Sequence, residues 1–166
     1  MTLESAASWL ENLPFPTAIR ESAWLYPIFE TIHVMALALV VGSIATVDLR
    51  LLGVARRNQP AWRIAQQALP WTWIAFAVAV VTGALLFSSQ AVKYVDNVPF
   101  RIKLVLLALA GINMAAFQFG AGRTINTWGE GQAPTGARIA GALSLVFWIG
   151  VVAAGRWIGF ASNNPF

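Results

Sequence analysis

The sequence predicts an all-α fold, an integral membrane four-helix bundle with short interfacial helices, as a single transmembrane domain over residues 1–166. Two observations carry that reading. First, 58% of the residues are hydrophobic and only 11% are charged, whereas a soluble domain carries about a quarter charged residues. Second, apolar runs fill residues 24–47, 71–87, 102–119 and 139–157, and each is near the ~20 residues that cross ~30 Å of hydrocarbon. No water reaches that depth to satisfy backbone N–H and C=O groups, so each run is expected to be helical.

The elements follow in order. The opening "MTLESAASWLENLPFP" lacks the basic and apolar regions of a cleaved signal. Its Trp9 and Leu10 suit an interfacial helix stopped by Pro14 and Pro16, and the first span is expected to act as its own insertion signal. In the first loop, "NQPAWRIAQQALP" offers Asn58 as an N-cap, Pro60 near the first turn and Pro70 as a stop. Trp62, Ile64 and Ala65 set against Arg63, Gln66 and Gln67 predict a second short helix lying in the interface. The third loop, "GAGRTINTWGEGQAPTGAR", reads as a flexible connection. Trp24, Trp71, Trp73 and Trp157 stand at span ends, as an aromatic belt requires. Small residues at every fourth place (Ala75, Ala79, Gly83; Gly136, Ala140, Ser144; and the pair Gly111, Ala115) mark close helix packing within one molecule.

Charge sets orientation. Arg50, Arg56, Arg57, Arg63, Arg123 and Arg138 fall on one side, and Arg20, Lys93, Arg101, Lys103 and Arg156 on the other. The first loop is the densest cluster and the N-terminal segment is acidic (Glu4, Glu11, Glu21), so both termini are predicted outside the cytoplasm. The net charge of +4 is read as headgroup contact. There is no basic stripe with interleaved aromatics, and nucleic acid is not an expected partner. Cysteine is absent, which excludes disulfides, iron–sulfur clusters and thiolate chemistry.

The first span, "FETIHVMALALVVGSIATVDLRLLG", carries Glu30, the single histidine His33 and Asp48. Glu30 and Asp48 are eighteen residues apart, five whole turns, and His33 lies 60° from Glu30 on the same side. A charged group at the bilayer centre costs about 2.5–3.5 kcal/mol on insertion scales, so this stripe is expected to face protein. At ~1.5 Å per residue from Trp24, Glu30 lies ~9 Å in, His33 ~14 Å and Asp48 ~36 Å. Asp48 is expected to form a helix-end ion pair with arginine, Arg50 being adjacent. Glu30 is expected to pair with Lys103, giving a buried polar line of Glu30, His33, Lys103 and Asn113.

Three readings of His33 stay open on the residues alone. It is a neutral histidine bonded to Asn113, Glu30 or a backbone carbonyl; or an axial, metal-binding ligand to haem b, since imidazole suits iron and four-helix bundles hold haem; or, with Glu30, a proton relay. "ETIH" matches the Glu-x-x-His of di-iron bundles, but a second such motif and two further glutamates are missing. No catalytic residue is assigned.

The stretches "ESAWLYPIFETIHVMALALVVGSIATVDLRLLG", "LPWTWIAFAVAVVTGALLF", "PFRIKLVLLALAGINMAAF" and "VAAGRWIGF" resemble a family of uncharacterised bacterial four-helix membrane proteins. More loosely, the chain is similar to small membrane haem and copper-resistance proteins. The resemblance implies a multi-pass protein of the bacterial inner membrane. In that family the third span tends to end in Phe-His, and here Gln118 stands where the histidine would fall. Gln118 lies ~22 Å in from Lys103 and His33 only ~14 Å from the same side, so the two positions do not offer one iron a matched pair.

The leading expectation is a membrane electron-transfer or quinone-linked protein, with haem b through His33 as its cofactor. The alternatives are an anchor or accessory subunit in which Glu30 and His33 are structural, and a small proton-coupled carrier. The last is disfavoured by the lack of inverted repeats and of a broken helix. Expected partners are the lipid bilayer and a redox or periplasmic protein or a second copy of the chain.

Overall fold

The computed structural model describes residues 2–56, 58–128 and 131–161. Arg57, counted above among the first-loop arginines, lies outside them. Two short helices, α1 (Leu3–Glu11) and α2 (Pro14–Glu21), lead into α3 (Leu25–Leu51), α4 (Ala61–Ser89), the single-turn α5 (Ala91–Val95), α6 (Val98–Phe119), a 3-10 helix (Ala121–Thr127) and α7 (Thr135–Ala161). Four of these are long and apolar enough to cross a membrane: Leu25–Leu51, Ala61–Ser89, Val98–Phe119 and Thr135–Phe160. The fold is a multi-pass helical bundle.

The short helices are locally encoded. Thr2 caps α1 by accepting from the Ser5 amide at 3.3 Å. Pro14 opens α2 at its first position, where a missing N–H costs nothing, so this proline starts a helix as well as ending the previous one. Glu11 then ties three elements together. One carboxylate oxygen pairs with Arg20 of α2 at 2.9 Å and the other accepts from the Val92 amide of α5 at 3.1 Å.

The spans pack as two hairpins, α3 on α4 and α6 on α7, joined by α3 against α7. The centre is filled by Val40, Ala75, Ala110, Val151 and the indole of Trp148, so one large side chain on α7 bridges small residues of the other helices. Ala75 and Ala79 of the small-residue stripe are buried. Large apolar side chains such as Met35, Val81, Ile112 and Ile149 are exposed around the outside and form the lipid-facing belt. Trp24, Trp71, Trp73 and Trp157 are likewise exposed.

Two connections differ from expectation. The interfacial helix predicted before Pro70 is instead the first part of α4, which runs through Pro70 without interruption. Ala61 packs with Leu51, Ala133 and Ala137 in a second core cluster, and Ile64 and Ala65 are buried, so packing holds this segment in line with the span. The lost proline donor is tolerated, as in other membrane helices. In the third loop residues 121–127 form the 3-10 helix, followed by Trp128, whose indole donates to the Thr124 hydroxyl at 2.9 Å.

Candidate functional site

His33 stands on α3 where α4 comes closest. The Thr82 hydroxyl of α4 lies 3.0 Å from His33 Nδ1 and 2.7 Å from the Val78 carbonyl. A hydroxyl has one proton, and the shorter contact commits it to Val78, so Thr82 Oγ1 accepts from Nδ1–H. The Ala79 carbonyl is a further acceptor against the ring. The Thr82 contact therefore selects the Nδ1–H tautomer, which leaves a lone pair on Nε2. Gly83 makes the approach possible: a Cβ there would stand 2.9 Å from His33 Cε1.

Lys103 enters from α6. Its ammonium acts electrostatically on the imidazole and lies 3.9 Å from where a Cβ on Gly155 of α7 would sit. All four spans thus contribute at one level. Among the described residues no carboxylate pairs with Lys103. About one turn further toward the same end, the rings of Phe87, Tyr94 and Phe100 stack with centroids 5.4–6.3 Å apart. The Tyr94 and Tyr26 hydroxyls are 3.1 Å apart. Burial pushes the Tyr94 phenol above its usual range, and the bond to Tyr26 and the Glu30 carboxylate add to that.

The predicted polar line divides. His33 and Lys103 share a site, but the expected Glu30–Lys103 pair is not formed, and Glu30 is exposed beside Tyr94. Glu30 and Asp48 do share one face of α3, and α7 packs on it at Asp48, where a Cβ on Gly141 would be 3.3 Å from the Asp48 carbonyl. Asn113 belongs to the Asp48 end as well, donating to the Ala140 carbonyl at 2.9 Å and so joining α6 to α7.

Asp48 is 6% exposed, faces the Ser144 hydroxyl, and has an Oδ2 with no hydrogen-bond partner among the described residues. The expected ion pair with Arg50 is absent. The Arg50 guanidinium turns instead to the loops, donating to the Gln59 carbonyl at 2.7 Å and the Gly131 carbonyl at 3.2 Å. Gln118 is exposed near the end of α6.

Gln118 is ~22 Å along α6 from Lys103, so it does not stand at the level of His33 as a second axial ligand would. Among the described residues no group of three histidine, aspartate or glutamate side chains could hold a metal ion.

A family model matches residues 19–161, most of the chain and every span. The chain belongs to DUF6644, a family of unknown function. No curated protein and no solved structure matches it. Within the site, Thr82, Gly83, Tyr26, Tyr94 and Gly155 are the residues that sequence reasoning did not select. The stripe Ala75, Ala79, Gly83 was the available signal, since its last member is what admits the imidazole.

Proposed function

We propose that the protein is a quinone-linked membrane electron-transfer protein in which His33 exchanges the proton and Lys103 holds the accompanying negative charge. One observation carries this reading: inside the spans, a histidine held through Nδ1 by Thr82 lies beside a lysine with which no carboxylate pairs among the described residues. Ionisable groups at that depth are costly and mark function by default. A quinone head group reduced within the membrane gains negative charge on oxygen and then takes up a proton. A cation and a histidine at one level supply both needs, with the electrons coming from a redox partner. The reading uses no iron.

The test is extraction of lipid-soluble quinone from protein purified in mild detergent, alongside a reduced-minus-oxidised absorption spectrum. Quinone should be retained near one per chain and lost in His33→Ala and Lys103→Met, with no Soret band. A b-type band lost in His33→Ala would make the protein a cytochrome instead. Neither quinone nor haem in a well-folded preparation would leave an anchor or accessory subunit.

A further inference from the structure

A second feature lies away from His33, on the outer face of the α3–α4 hairpin near the first loop. A groove of about 310 Å³ runs between the two helices there. Its floor is Ala38, Leu39 and Gly42, and no atom lies within 4 Å of where a Gly42 side chain would begin. The two lining hydroxyls are internally satisfied. Ser43 bonds the Thr72 hydroxyl at 2.8 Å and the Leu39 carbonyl at 2.7 Å, and Thr46 donates to the Gly42 carbonyl at 2.9 Å. What the groove presents along its length is therefore apolar.

Its rim is different. Arg56 and Gln67 line the end nearest the loop and Trp71 stands one turn further along α4, and none of their side chains makes a hydrogen bond or ion pair among the described residues. Arg56 owes its position to a left-handed turn. Gly53 at φ +72° and Arg56 itself at φ +52° reverse the chain at the end of α3, with the Val54 amide bonded to the Leu49 carbonyl at 3.0 Å. A guanidinium and an amide thus stand at the mouth of a hydrocarbon-lined slot, with the Trp71 indole along its wall.

We propose that this groove is a binding site for one anionic phospholipid, with its phosphate on Arg56 and Gln67 and an acyl chain along Trp71, Gly42, Leu39 and Ala38. Arginine matches the phosphate in a bidentate geometry that no neutral donor reproduces. The lined stretch from Thr46 to Ala38 rises ~12 Å along the helix. That length suits an acyl chain and gives nothing to a free phosphate ion.

The test titrates delipidated protein in dodecyl maltoside with phospholipids brominated on the acyl chain. Trp71 quenching is read as the difference between wild type and Trp71→Phe. Brominated phosphatidylglycerol should reach half-quenching at a concentration at least tenfold below brominated phosphatidylcholine. Arg56→Gln, on an exposed loop, should erase that preference. Gly42→Leu should fill the groove and remove quenching by both lipids with helix content unchanged. Should that variant unfold, Arg56→Gln still decides. Equal quenching by the two lipids in wild type, or a preference untouched by Arg56→Gln, would overturn the proposal. So would loss of the quenching on adding millimolar inorganic phosphate alone, because the site would then be for the free ion.

Discussion

Replacing Gly83 with alanine sets two effects of opposite sign against each other. In a helix interior, Gly→Ala ordinarily stabilises by about 1 kcal/mol, because glycine has more backbone freedom to lose. At Gly83 the new methyl would stand 2.9 Å from His33 Cε1, inside contact distance. Overpacking of that kind costs about 1–3 kcal/mol. The ring cannot simply swing away, because Nδ1 is held by Thr82 at 3.0 Å. The clash should win, leaving Gly83→Ala destabilised by up to about 2 kcal/mol. Gly111 is the control, since a Cβ there meets nothing within 4 Å and the alanine should be neutral or stabilising. Unfolding in dodecyl sulfate, followed by circular dichroism, measures both variants on one scale. If Gly83→Ala is as stable as Gly111→Ala, His33 does not pack against α4 as described and the site's geometry fails.

Thr82→Val keeps the shape and removes the acceptor, and should cost about 0.5–1.5 kcal/mol in the same assay, the range for interhelical bonds in membranes. The Ala79 carbonyl remains to take part of the load. Arg50→Met should cost more, about 3 kcal/mol, because a 2% exposed guanidinium donating to two loop carbonyls is lost. Native-state hydrogen exchange should show loosening at Gln59 and Gly131 first. Tyr94 provides the pH dependence. Its folded value is raised, so the unfolded chain releases the phenolic proton first, at about pH 10. The stability it contributes is present below that pH and declines as the pH rises further. Absorbance at 295 nm, taken as wild type minus Tyr94→Phe, should show an ionisation midpoint above that of free tyrosine. A midpoint at the free value would mean that Tyr94 is open to water.

The spans were legible because a bilayer leaves a chain few options: runs of apolar residues had to be helices. The passage of α4 through Pro70 was not legible. Proline reads locally as a stop, and only the burial of Ala61, Ile64 and Ala65 against the end of the bundle explains why the helix continues. Helix-wheel geometry placed Glu30 and Asp48 on one face, but not the course of α7, which covers Asp48 and leaves Glu30 bare. Depth counting paired Lys103 with Glu30 and missed that its ammonium acts on His33. It could not reveal that α4, through Thr82 and Gly83, is the helix that grips the ring, because one sequence carries no record of which helices are neighbours.

A single histidine makes the decisive measurement simple. Nitrogen-15 spectra of protein labelled only at histidine report one imidazole, its tautomer and its protonation. The expected spectrum is that of a neutral form protonated on Nδ1 with a bare Nε2, converting reversibly to imidazolium on acidification, with a changed Nδ1 signal in Thr82→Val. A neutral form protonated on Nε2, or a ring that never takes up a second proton while the protein stays folded, would contradict it. His33 would then be a structural bond between α3 and α4 and not a site of proton exchange.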